Sequence, residues 1–336
     1  LRCSLILEVL LSNNFAALLP RNELLSLVLP LLRLRQKLER ALAGETRDGK
    51  RVGASNDTQS LLAKVTFLLR NKLFKLRNIS KKGQEDDNMV TTLANAVGDQ
   101  LRKADSSEHL KCCGDALIML CRVLDEPGAC SQIYQDAVSE WSTKRTTRLK
   151  ASVFDDLIQQ IPSLAQVLLT HPLCKAALEA RTPFLKSEAF RLLSSVLSIA
   201  TLSGTNEKGS DSVRSSIERE IPSFISALRE TLENEEMKKT KRLRDILKTA
   251  KKWIEFGTTA SSLDQCSVSE TQEIVRLLSE IAEKTDSEPV KRSSGDLVSL
   301  LEGFIKAVEA AKAANDSQPL ESKKAKKKKK KKGKKK

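Results

Sequence analysis

The chain has 336 residues, a formal net charge of +15 and a mean hydropathy of −0.32. Twelve of the fifteen net charges lie between Lys323 and Lys336, where only Ala325 and Gly333 are not lysine, so the remainder carries +3. A near-neutral body argues against a wholly basic nucleic-acid-binding domain, and the length leaves room for a large core or an extended repeat array.

Helical periodicity runs through the chain, and strand alternation and hairpin turn pairs are nearly absent. A first segment spans Leu1 to Leu19, with Leu5, Val9 and Leu10 on one stripe. It begins inside an apolar helical pattern without Met, so the chain reads as part of a longer one, with any leader out of view. A second helix runs from about Asn22 to Ala43, kinked or split by Pro30 and ended by Gly44. After the polar loop GETRDGKRVGASND, a third starts at Asp57 or Thr58 and reaches about Asn78. Its buried face is Leu62, Val65, Leu69, Leu73 and Leu76. Lys64, Arg70, Lys72, Lys75, Arg77, Lys81 and Lys82 flank that face, with no acid from Lys64 to Lys82.

Further helices are expected at 88–104, 107–125, 129–142, 146–160, 162–180, 183–202, 212–233, 237–256, 268–284 and 294–314. Gly, Pro and Ser/Asp/Asn clusters punctuate them, as in DEPGAC, SGTNEKGSDS, TTASSLDQ and KTDSEP. Short connections imply antiparallel neighbours. One internal echo appears: VFDDLIQQIPSLAQVL from Val153 and VRSSIEREIPSFISAL from Val213 share Val, Leu/Ile, Ile-Pro-Ser and a final Leu. Pro162 and Pro222 then sit in the first turn of a helix, where a missing N–H is harmless. The fold class predicted is all-α: an α-solenoid of HEAT/armadillo-like helical repeats over residues 1–314, followed by a disordered Lys-rich tail over 315–336.

The strongest amphipathic pattern is MKKTKRLRDILKTAKKWIEF. At about 100° per residue, Leu243, Ile246, Leu247, Ala250, Trp253 and Ile254 fall on one side. Lys241, Arg244, Lys248, Lys251 and Lys252 fall opposite as a basic stripe, suited to phosphate or to an acidic partner. With one Tyr and two Trp in the chain, stacking platforms for bases are lacking, so nucleic-acid contact is expected at the backbone.

Catalytic motifs are missing: there is no GxxxxGK[ST], GxGxxG or GxSxG. His109 and His171 are lone, and His171 in LTHPLC suits capping or packing at a helix junction. Asp86-Asp87, Asp155-Asp156 and Glu235-Glu236 raise the question of two-metal chemistry, but helix neighbours diverge by about 100°. Asp155 and Asp156 read as the solvated start of a helix. No cofactor or metal is expected. The seven cysteines lack a CxxC pair and read as buried, reduced thiols. The longest apolar stretch, around Leu24 to Leu32, is too short for a membrane span and contains Pro30.

The tail lysines Lys323, Lys324, Lys326, Lys327, Lys328, Lys329, Lys330, Lys331 and Lys332 form a nuclear or nucleolar import signal, to be read by importins, that also attracts polyanions. LRCSLILEVLLSNN, ELLSLVLPLLRLRQKLERAL and SLLAKVTFLLRNKLFKLRN resemble the C-terminal region of the Myb-binding protein 1A / DNA polymerase V (phi) family. So do VFDDLIQQIPSLAQVLL, RTPFLKSEAFRLLSSVL and the Lys-rich end. The resemblance covers roughly residues 1–200 plus the tail. It implies a nucleolar helical-repeat scaffold tied to rRNA transcription and ribosome production, with nucleolar proteins, transcription factors and rRNA or rDNA as partners. It carries over no catalytic residue. The alternatives are a template-directed DNA polymerase, as the family name suggests, and a cytosolic HEAT-type adaptor or transport protein.

Overall fold

The structure is a computed structural model and describes residues 6, 9, 11, 20–45, 56–76, 85–124, 128–202, 210–261 and 263–316. The lysine tail, residues 46–55 of the polar loop after the second helix, and Arg77, Lys81 and Lys82 lie outside the described residues, as does most of the first expected segment; Gly44 and Glu45 continue the second helix rather than end it. Among the described residues every regular element is helical and no strand occurs. The chain divides into two compact units, Leu1–Arg181 and Thr182–Lys336.

The first unit holds α1 (Arg21–Ser26), α2 (Val28–Glu45), α3 (Asn56–Phe67), α4 (Glu85–Arg102), α5 (Ser107–Val123), α6 (Gly128–Thr143), α7 (Ala151–Gln160) and α8 (Pro162–Glu179). The split expected at Pro30 occurs instead at Leu27, and Pro30 lies in the first turn of α2, where its missing N–H costs nothing. α3 does not run on to Asn78. It passes into a π turn over Leu68–Lys72 and a 3₁₀ turn over Leu73–Lys75. The wider π turn shifts the phase of the helix. Adjacent Leu68 and Leu69 are therefore both buried, together with Val65, Leu73 and Phe74, whereas Leu62 and Leu76 are half-buried.

α5 starts on a Ser106 cap whose hydroxyl accepts from the His109 backbone N–H at 3.0 Å. α7 begins only at Ala151, five residues later than expected, because Thr147–Lys150 leaves helical geometry. α4 packs on α6 and α6 on α8, while α2 packs on α5 and α5 on α7. Helices two apart in sequence thus lie side by side in α4–α6–α8 and α5–α7, and α2 reaches α5 three helices on. Gly98 allows the close approach of α4 and α6, since a Cβ there would stand 2.8 Å from Ile133 Cγ2.

The second unit holds α9 (Pro183–Leu202), α10 (Ser210–Glu218), α11 (Ile221–Glu233), α12 (Thr240–Gly257), α13 (Val268–Lys284) and α14 (Glu288–Asp316). The single helix expected at 212–233 is broken between α10 and α11, with Pro222 in the first turn of α11. α7 and α8 meet in the same way around Pro162, so the two echo segments share one local design, one in each unit. α13 opens on a capping Ser267, which accepts from the Glu270 N–H. α9 packs on α12 and α12 on α14, while α11 packs on α13. The core is centred on Trp253, fully buried and stacked on Phe224 at 4.6 Å with an 11° tilt; Phe224 meets Phe190 edge-on at 5.8 Å.

The six described cysteines follow the expectation, and Cys3 lies outside the described residues. Cys112, Cys113, Cys121, Cys130, Cys174 and Cys266 are buried free thiols. Burial pushes the Cys112 and Cys113 thiols up, and that of Cys266 to about 11. Among the described residues no helix is long and apolar enough to cross a membrane.

Candidate polyanion-binding face of α12

α12 is made of good helix formers with no Gly or Pro before Gly257. Its apolar side is buried as the periodicity requires: Leu243, Ile246, Leu247, Ala250, Trp253 and Ile254 are each at most 3% exposed. Burying that side fixes the rotation of the helix, and Lys241, Arg244, Lys248, Lys251 and Lys252 all emerge at the surface.

The five cations are not equivalent. Lys252 Nζ donates to Ser194 Oγ at 3.1 Å and Ser198 Oγ at 2.7 Å on α9. Lys251 pairs with Asp296 of α14 at 3.7 Å. Lys241, Arg244 and Lys248 make no ion pair with any described residue. They form the free part of the stripe, and Lys251 and Lys252 tie its edges to the flanking helices. Asp245 and Glu255 are also exposed; the helix angle of Glu255 places it between Arg244 and Lys248, and that of Asp245 places it at the Lys252 edge, which dilutes the stripe.

One further cation joins from α14. Lys251 lies beside Asp296, and a Cβ on Gly257 would touch Phe304, so α12 and α14 run parallel. Arg292 is exposed and precedes Asp296 by one turn on the same face, so it stands alongside the Arg244–Lys248 part of α12. Sequence reading misses Arg292 because nothing local links residue 292 to residue 248.

The earlier basic segment is engaged inside its own unit. Arg70 pairs with Glu108 at 3.5 Å and Asp115 at 3.6 Å, both on α5. Lys72 lies over the Phe67 ring at 6.0 Å, and Lys75 donates to Asn71. Burial pushes the Asp115 carboxyl above its usual range, and Arg70 opposes that shift.

Other readings change. Asp155 and Asp156 are half-buried in the middle of α7 and do not form its solvated start. His171 is exposed inside α8, ahead of the buried in-helix Pro172, and does not pack at a junction. His109 is the packed histidine, with no exposed surface and Nε2 at 3.6 Å from Cys113 Sγ. Among the described residues no group of three His, Cys, Asp or Glu side chains is placed to hold a metal ion.

No family model matches the chain, and no curated protein matches it. Among solved structures, a chain described as "Computational Design of Self-Assembling Cyclic Protein Homooligomers" is similar at 13% identity over 88% of this chain and 98% of that one. Its TM-score is 0.28, and at that level the likeness carries no argument about this protein.

Proposed function

We propose that this protein is a non-catalytic helical-repeat scaffold that holds phosphate-rich or acidic partners against the α12 face, while its remaining helical surface binds proteins. The observation that carries this reading is the combination on α12 of a fully buried apolar side with Lys241, Arg244 and Lys248, unpaired among the described residues, on the other, joined by Arg292. Unpaired cations on a fixed helix face release counterions when phosphate lies along them, which gives affinity without sequence preference.

A solenoid architecture is part of the proposal. It is supported by the rows α4–α6–α8 and α5–α7 in one unit, by α9–α12–α14 and α11–α13 in the other, and by the Pro162/Pro222 echo. The nucleolar setting, with roles in rRNA transcription and ribosome production, rests on the family resemblance and on the lysine run from Lys323 to Lys336.

The test uses a chain ending at residue 316, so that the tail cannot dominate. Lys241, Arg244 and Lys248 are reversed to Glu, and binding to an RNA duplex is measured against salt concentration. The log–log slope is expected to fall by nearly one for each phosphate that the face no longer neutralises. Unchanged binding with native helicity would refute the role of this face. Deleting Lys323–Lys336 from the tagged chain is expected to abolish nucleolar accumulation, and an unchanged nucleolar signal would refute the address.

A further inference from the structure

A second cationic surface lies in the first unit and owes nothing to α12. The α6–α7 connection reads TKRTTRLK from Thr143 to Lys150. Leu149 is buried and pins the loop; every other residue carries a hydroxyl or a positive charge. Further bonds fix its course. Arg148 Nη1 donates to the Asp105 carbonyl, Lys150 Nζ donates to Ser107 Oγ at 2.6 Å, and the Leu149 N–H donates to Thr147 Oγ1 at 3.2 Å.

The same end of the unit collects cations from other elements. Arg40 of α2 reaches the Asp105 carboxylate, its Nε at 2.5 Å. Gly98 lies beside Ile133, and Arg102 stands 3.8 Å from Asp136, so α4 and α6 run parallel, with α4 ending level with Asp136 and α6 continuing to Thr143. Arg148 brings the loop back to Asp105, so Lys103, just before Asp105, and Lys144 and Arg145, at the start of the loop, belong to the same end of the unit. Arg40, Lys103, Lys144, Arg145, Arg148 and Lys150 are all exposed there. Among the described residues, the carboxylates that contact these cations are Asp105 and Glu140, the latter paired with Lys144 at 3.1 Å.

We propose that this end of the first unit is a docking surface for the phosphate backbone of a nucleic-acid duplex. Its chemistry selects that partner over an acidic protein. Phosphate contacts are made by Lys, Arg, Ser and Thr, and those are the exposed residues here. Protein interfaces are anchored by buried aromatic and aliphatic side chains, and this loop exposes none. A single strand would need aromatic platforms for its bases, yet Tyr134 and Trp141 of the adjoining α6 are buried.

The test uses the full chain, with lysine acetylation mapped by mass spectrometry in the presence of an RNA duplex, a DNA duplex or polyglutamate. Each lysine reports separately, so this surface, α12 and the tail are resolved in one experiment. Lys103, Lys144 and Lys150 are expected to be shielded by duplex. Shielding by both duplexes marks backbone reading, and shielding by one names the nucleic acid. Lys103→Glu with Arg145→Glu, two exposed residues that pair with no described residue, is expected to lower the salt slope by nearly two units while helicity stays native. Unchanged reactivity of these three lysines under duplex overturns the proposal, even where Lys241 and Lys248 are shielded. Shielding by polyglutamate alone overturns it in favour of an acidic protein.

Discussion

His109 makes the stability of the first unit depend on pH in a calculable way. The imidazole is fully buried on α5, and its pKa is lowered from an ordinary 6.5 to about 4. Burial is the main cause and the Arg35 guanidinium adds to it, while Glu39 and Asp105 oppose it. The unfolded chain therefore takes up a proton before the folded one does. Its contribution is complete above pH 6.5 and is lost as pH falls from there to about 4. That interval corresponds to about 3 kcal/mol, or about 1.4 kcal/mol per pH unit within the window. The perturbation is His109→Gln, which keeps a polar side chain but does not titrate. The two tryptophans lie one in each unit, Trp141 in the first and Trp253 in the second, so a Trp253→Phe background leaves fluorescence reporting on the first unit alone. Denaturant unfolding at pH 7, 6 and 5 is expected to show the parent losing about 2 kcal/mol more than the His109→Gln protein by pH 5. Parallel pH profiles would refute the reasoning, because every other titrating group is common to both proteins.

Trp253→Ala is expected to destabilise the second unit by about 3–5 kcal/mol through lost packing, whereas Trp253→Phe keeps the stack on Phe224, removes a buried indole N–H that has no partner among the described residues, and costs less than about 1.5 kcal/mol; chemical denaturation followed by circular dichroism separates them. Gly98→Ala is expected to destabilise by about 1 kcal/mol, because overlap with Ile133 outweighs the gain in helix propensity, while Gly303→Ala, which meets nothing within 4 Å, stabilises by about 1 kcal/mol; opposite shifts in melting temperature are the readout. Burial raises the Glu218 carboxyl, but hydrogen bonds from Ser261 and Arg214 outweigh it and hold the pKa below the usual 4.5. Its stabilisation is then complete above pH 4.5 and lost as pH falls through the folded value, so Glu218→Gln is expected to cost about 1.5–3 kcal/mol at pH 7 and to flatten the acid limb of the stability profile.

Periodicity alone determined that the chain is helical and which side of α12 is buried, because one side chain in every three or four must face the core whatever the neighbouring helices are. Local chemistry also determined the helix start at Pro162 and the buried thiols of the described cysteines; at Ile221-Pro222 the proline signal competed with unbroken periodicity over 212–233, and only the structure shows the break. The phase shift at Leu68 was not legible, since a π turn inserts an extra residue that a fixed angle per residue cannot anticipate. Tertiary structure decided which cations are free. Lys251 and Lys252 look the same as Lys241 and Lys248 on a helical projection, and only Asp296, Ser194 and Ser198, brought in from α14 and α9, distinguish them. It likewise gathered Arg40 and Arg148 around Asp105 from segments 65 and 43 residues away from it. A single sequence shows charge along the chain, but a binding face is a property of helices packed side by side.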